Sequence, residues 1–168
     1  IAELNSIKPV FIELGLQTIH EETAKFIRRG YTLDVYDSAV QNLKKTGAHI
    51  ITHMILGLPG EDSEMMKQTA KHIASVGSDG VKLQLLHILR GTDLGNLYNS
   101  GSVCTLSKAE YISCLCDCVR CFPDGTVLHR ITGDAPKDLL IAPKWSADKK
   151  RVLQEIREAF ANCDIILQ

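Results

Sequence analysis

The chain has 168 residues, 45% of them hydrophobic and 23% charged, with a formal net charge of −1. That is long enough for one domain with its own core. The balance is that of a globular protein, and the charge carries no nucleic-acid footprint. No apolar run reaches the roughly 18 residues of a membrane span, and no charged, then apolar leader opens the chain. The expectation is therefore a cytoplasmic protein whose six cysteines are thiols rather than disulfides. The chain lacks an initiator Met, and Ile1 to Asn5 reads as the end of a helix, as in a fragment of a longer protein.

Apolar strands alternate with amphipathic helices. Val10–Gly15 is a short apolar, β-branched run after Pro9, a buried strand. Thr18 and Glu21 form a capping-box pair for a helix to about Arg28, which Gly30 ends. Thr32 caps the next helix, with Tyr36, Ala39, Val40 and Leu43 on one face and Gly47 as its stop. Ile50–Leu56 is a second strand, closed by Gly57-Leu58-Pro59-Gly60. Ser63 opens a helix with Met66, Ala70 and Ile73 inward. Gly80 leads into a third strand, Val81–Leu89, followed by Arg90-Gly-Thr-Asp, a short helix and a loop through Gly101. Ser107 and Glu110 cap a helix to about Phe122. Thr126–Ile131 is a fourth strand. A loop rich in Gly, Pro and Asp runs on to Trp145, the expected packing anchor of a last helix. Ser146 caps that helix, and Val152, Ile156 and Phe160 form its inner face. Such repetition predicts an α/β fold: one domain over 1–168 of parallel β/α units with right-handed crossovers, too few for a full eight-fold barrel.

Sites in such folds gather at the C-terminal ends of the strands. There the sequence places Glu13 and Gln17 on strand one, His53 and Glu61 on or after strand two, and Gln84 and His87 on strand three. Burying any of these without a partner costs on the order of 2 kcal/mol, so several together predict a polar pocket. Gly15, Gly57 and Gly60 would let a ligand approach the backbone.

Glu13-Leu-Gly-Leu-Gln-Thr18, Phe26-Ile-Arg-Arg-Gly30, His53-Met-Ile-Leu-Gly-Leu-Pro-Gly-Glu61, Leu86-His-Ile-Leu-Arg-Gly-Thr92, His129-Arg-Ile-Thr-Gly-Asp-Ala-Pro136 and Leu140-Ile-Ala-Pro-Lys-Trp145 follow one another in order. This ensemble resembles the second half of the radical SAM superfamily, and in particular its YhcC-like iron–sulfur oxidoreductases. The resemblance implies the C-terminal part of a TIM-like partial barrel, with a C-terminal extension from about residue 126. It implies S-adenosylmethionine and a [4Fe-4S] cluster as cofactors, reductive cleavage to a 5′-deoxyadenosyl radical, and an electron donor. The substrate it implies is a small molecule or an RNA. Gln17 and Arg29 match positions that contact S-adenosylmethionine, the arginine meeting its carboxylate with a planar charged fork. His53 stands where relatives often have an acid contacting the ribose. Gly57, Pro59 and Gly60 would pass near the adenine, Glu13 is a pocket residue, and Gln84 and His87 line the substrate side.

The family's cluster ligands follow a CxxxCxxC spacing, which Cys114, Cys118 and Cys121 reproduce. Here the spacing falls on a capped helix after strand three, where positions 114 and 121 stand about 10 Å apart along the axis. Cysteines on one helical face behave as small hydrophobes, so the cluster loop is expected upstream of Ile1 and no metal ligand in this chain. Two other readings compete: a metal module built on Cys114, Cys118 and Cys121, and a β/α-barrel enzyme using Glu13, His53 and His87 for acid–base work or zinc binding. Arg28/Arg29, Lys44/Lys45 and Lys149–Arg151 read as solvated helix faces.

Overall fold

The computed structural model describes residues 1–165. In chain order they form α1 (Ala2–Ile7), β1 (Phe11–Gln17), α2 (Glu21–Phe26), α3 (Leu33–Lys44), β2 (His49–Leu56), α4 (Ser63–Ser75), β3 (Gly80–Leu85), β4 (Ile88–Leu89), α5 (Asp93–Asn99), α6 (Lys108–Val119), β5 (Val127–Arg130) and β6 (Leu140–Ala142). A 3-10 turn (Lys144–Ala147) and α7 (Lys149–Asn162) follow. The four longer strands make one all-parallel sheet in the order β1-β2-β3-β5, as β/α alternation demands.

The period-two pattern of the strands decides which face the helices cover. On β2, Ile50, Thr52, Met54 and Leu56 are fully buried, and Leu16, Val81 and Leu83 join them from β1 and β3. Met66, Ala70 and Ile73 of α4, Tyr111, Leu115 and Cys118 of α6, and Val152, Ile156 and Phe160 of α7 complete this core. Each large side chain buried there contributes about 1.5–3 kcal/mol. Thr52 is the polar member, satisfied by the Tyr36 hydroxyl at 2.7 Å and the Ser78 hydroxyl at 2.6 Å. The opposite face carries Gly15, His53, Lys82 and Gln84, half-buried, and the exposed Glu13.

Several boundaries differ from the sequence reading. Strand three stops at Leu85. The Leu86 N–H still bonds Leu56 O, but Ile88–Leu89 leave the parallel sheet and pair antiparallel with β6. Leu86, Ile88, Leu58 and Ala142 then form a second small core. No Thr18–Glu21 box forms: His20 is the N-cap of α2, while Thr18 Oγ1 lies 2.5 Å from Glu61 Oε1. Gly30 does not end that helix. Ile27 caps it, and Arg28 follows in the left-handed region at φ +57°. Ser63 does open α4, with Asp62 accepting its first-turn N–H bond, whereas Asp148, rather than Ser146, accepts that of α7. Ser146 lies in the 3-10 turn and bonds Pro143 O. α6 ends at Val119, and its Ser107–Glu110 capping box is fully formed.

Candidate active site at the strand ends

On the face away from the helices, three strands bring four polar side chains together. His53 and Lys82 are register partners on β2 and β3. Lys82 Nζ lies 2.5 Å from Glu13 Oε1, and His53 Nε2 lies 2.7 Å from Glu13 Oε2. Gln84 Nε2 approaches His53 Nδ1 at 3.3 Å. An amide nitrogen can only donate, so Nδ1 accepts and Nε2 carries the proton toward Glu13. Lys82 first and His53 second hold the Glu13 carboxyl below its ordinary range. Sequence reasoning found Glu13, His53 and Gln84 but missed Lys82. Its signal was a charged residue between two apolar ones, two positions before Gln84.

Above this row, the strand ends open into a cleft of about 840 Å³, lined by Gly15, Gln17, Ile55, Leu58 and Leu86 and by residues 26–29, 31, 92–94 and 97 of the flanking segments. β1 ends in a bulge, where Gln17 takes φ +67° and turns its amide into the cleft wall. A Cβ on Gly15 would come within 2.8 Å of Gln17 Nε2, so glycine is what lets the amide lie there. Gln17 Oε1 is buried with no hydrogen-bond partner. A buried acceptor left empty costs about 1–3 kcal/mol, which a ligand N–H or O–H in the cleft would recover. The loop glycines serve other ends. A Cβ on Gly57 would meet Leu106 at 3.1 Å, whereas one on the exposed Gly60 would meet nothing. Of Gly57, Leu58, Pro59 and Gly60, it is Leu58 that lines the cleft.

Arg29 lies beneath the cleft wall with its side chain only 2% exposed. Its guanidinium donates to Thr18 O at 2.6 Å, Tyr31 O at 2.8 Å, Glu21 Oε1 at 3.1 Å and Leu16 O at 3.3 Å. It is not the solvated helix-face cation the doublet suggested, because the left-handed turn at Arg28 sends it inward. Glu61 is also tucked in. Thr18 holds one of its oxygens, the other is buried without a partner, and burial pushes its carboxyl up.

His87 parts company with Gln84. Its Nε2 lies 3.1 Å from Ser146 Oγ, beside Gly133, in a separate cavity of about 330 Å³ that also takes Asp134 and Lys149. Burial pushes the His87 pKa down against the opposing pull of Asp134. Trp145, expected as an anchor of the last helix, makes its indole contacts elsewhere: it donates to Leu106 O at 3.2 Å and its ring lies 5.6 Å from that of Tyr111 on α6.

Cys114, Cys116 and Cys118 are buried on α6, and burial raises all three thiols, Cys116 to about 11. Cys121 lies just past the helix end, half-buried and also raised. Such thiols are poor sources of the thiolates a cluster needs. Among the described residues no three His, Cys, Asp or Glu side chains converge as metal ligands. Cys163, which has no telling spacing in the sequence, meets Cys116 from the end of α7.

Known families match the chain along most of its length. Residues 1–73 match the Radical SAM superfamily model and residues 78–162 match the Radical_SAM C-terminal domain. The protein YtqA of Bacillus subtilis is 41% identical over 162 residues, covering 96% of this chain and 50% of YtqA. YhcC of Escherichia coli K12 is 32% identical over 140 residues, covering 83% of this chain and 45% of YhcC. The chain thus spans about half the length of the curated relatives it matches. The solved structure of Methanocaldococcus infernus Elp3 with an N-terminal deletion superposes with a TM-score of 0.82 at 22% identity, over 99% of this chain and 39% of that one. That likeness carries the fold, a TIM-like partial barrel whose open inner face is the one bearing Glu13, His53, Lys82 and Gln84. With two adjoining family models and relatives of this identity, the chain belongs to the radical SAM superfamily.

Proposed function

We propose that this chain supplies the S-adenosylmethionine cleft and part of the substrate lumen of a radical SAM enzyme. The cluster-bearing segment of that enzyme lies outside these residues. The observation that carries the reading is the cleft at the strand ends, where Gln17 Oε1 is buried and unsatisfied beside Gly15. S-adenosylmethionine fits that place by chemistry: it brings N–H and O–H donors to an orphaned acceptor and an apolar, planar base to Ile55, Leu58, Leu86 and Leu97. Bound there and reduced, it would supply the radical that takes a hydrogen atom from substrate.

The chain's own residues then have separable tasks. Arg29 holds the end of β1 and the start of the α2–α3 turn in one geometry. Leu58, Leu86 and Leu97 keep water from the cleft. Below, Glu13 fixes Lys82 and the His53 tautomer, leaving two Lys82 N–H groups and the Gln84 carbonyl facing a substrate. The partners of this reading are an electron donor and a small-molecule or RNA substrate. The buried thiols of α6 do not fit an iron–sulfur cluster, so no step is assigned to them.

The test is anaerobic iron–sulfur reconstitution of the full-length protein and of residues 1–168, with iron counting and visible absorption. The reading expects about one four-iron cluster in the full-length protein and none in the shorter chain. A stable cluster on residues 1–168 that is lost in Cys118→Ala would replace it with a metal module on α6.

A further inference from the structure

Among the described residues Glu61 does not line the cleft but stands behind its wall. Its bonds run to both sides of the opening. The Glu61 N–H donates to Leu58 O at 3.1 Å, in the loop after β2 that presents Leu58 to the cleft. Its side chain reaches across to Thr18, the fully buried residue that directly follows Gln17.

Thr18 is a hub. Its hydroxyl accepts the His20 N–H at 3.1 Å and donates to Glu61 Oε1 at 2.5 Å, while its carbonyl takes the Arg29 guanidinium at 2.6 Å. With the next residue pinned at side chain and backbone, the Gln17 amide is held against Gly15 at the cleft. Two further bonds dock the segment after β1: the Ile19 N–H meets Thr69 Oγ1 at 3.3 Å and His20 Nε2 meets Met65 O at 3.0 Å. Both of those end on α4, whereas the Glu61 bond ends on the loop that carries Leu58. Glu61 makes this tie with its second oxygen, Oε2, buried and without a partner. A half-satisfied buried carboxyl is a costly way to hold a segment that α4 already holds. What it adds is the placement of Gln17 relative to Leu58.

We propose that Glu61 is a positioning residue for the cleft's ligand, acting through Thr18 to set the Gln17 amide opposite Leu58. The ligand then finds both walls in place and spends none of its binding energy on ordering them. The inference rests on the reading of the cleft as an S-adenosylmethionine site.

The test uses the full-length protein with S-adenosylhomocysteine as the probe, titrated by calorimetry well below the melting temperature of each variant. Glu61→Ala is expected to weaken the probe about tenfold. Glu61→Gln keeps the oxygen that meets Thr18 and is expected to stay within about twofold of wild type. Thr18→Val cuts the same tie from the other side at nearly the same volume. It is expected to match Glu61→Ala, with the double variant no weaker than either. In a Gln17→Leu background, Glu61→Ala is expected to change nothing further, because the group it places is gone. If Glu61→Ala, or Thr18→Val should the former not fold, melts lower yet binds the probe like wild type, Glu61 serves the fold only and the proposal is overturned. A Glu61→Gln protein as weak as Glu61→Ala overturns it too, as does an equal loss with and without Gln17. A wild-type protein that does not bind the probe overturns the cleft reading and the positioning role with it.

Discussion

Replacing Arg29 by Met keeps most of the side chain's length and removes only the guanidinium. In the structure that group closes three backbone carbonyls, of Leu16, Thr18 and Tyr31, and one Glu21 oxygen, and its side chain is 2% exposed. Breaking a buried, hydrogen-bonded charge network typically costs 3–5 kcal/mol. Glu21 is 39% exposed and can be rehydrated, so the lower end, about 3 kcal/mol, is the appropriate figure. For a protein of this size each kcal/mol moves Tm by about 2–4 °C, which predicts a fall of about 6–12 °C. Thermal melts followed by far-UV circular dichroism, with urea midpoints as a second measure, read it directly. Arg28→Gly is the control and is expected to melt at or above the wild-type temperature. If Arg29→Met melts within about 2 °C of wild type, water can replace the guanidinium. Arg29 is then free to meet a ligand, and the structural role argued above is wrong.

Glu13 should titrate below the ordinary glutamate range in a carboxyl-detected NMR experiment, and Lys82→Met should move it back up. Its folded pKa is lowered, so its contribution to stability is present at neutral pH and lost as pH falls through that lowered value. Glu61 has the opposite sign: burial raises its folded pKa, so stability is greatest with the carboxyl protonated and declines as pH rises through the raised value. Glu61→Gln should abolish that slope in a series of urea melts at stepped pH, and an unchanged slope assigns it to another group. Brief iodoacetamide treatment of the native protein should alkylate the exposed Cys104 well before Cys114, Cys116 and Cys118, as peptide mass mapping would show. Phe160→Ala empties a fully buried site under the sheet and should cost about 3–5 kcal/mol in the urea midpoint.

The elements that sequence made legible are those whose signal is local. Ile50, Met54 and Leu56, or Val152, Ile156 and Phe160, repeat at the period of their own element, and Ser107 with Glu110 caps its own helix. Thr18 with Glu21 has the same spacing and forms no box, because Thr18 is drawn to Glu61 and Glu21 to Arg29, forty-three and eight residues away. Strand three looked continuous because Leu86, Ile88 and Leu89 continue its apolar run. Only the distant residues 140–142 tell that its end belongs to another sheet. The same holds for the site. Glu13, His53 and Gln84 were visible as polar residues in apolar strands, but that Lys82 completes them, that His87 leaves them and that Arg29 is already spoken for are facts of packing. Which group each residue faces depends on where the strands stop, and that depends on partners far along the chain.

The two family models adjoin near residues 73 and 78, between α4 and β3, yet the main core does not recognise that seam. Met66, Ala70 and Ile73 from one side bury themselves against Cys114, Leu115 and Cys118 from the other, and β2 takes β3 as its hydrogen-bonded neighbour. A boundary drawn from shared ancestry therefore runs through the middle of a shared interior. Cutting the chain there would bare the inner faces of β2 and β3 at once, so neither piece is a natural module for expression or for grafting onto a related barrel. Swaps between relatives should instead be made at the exposed Gly101 turn or in the exposed stretch 136–138 beyond β5.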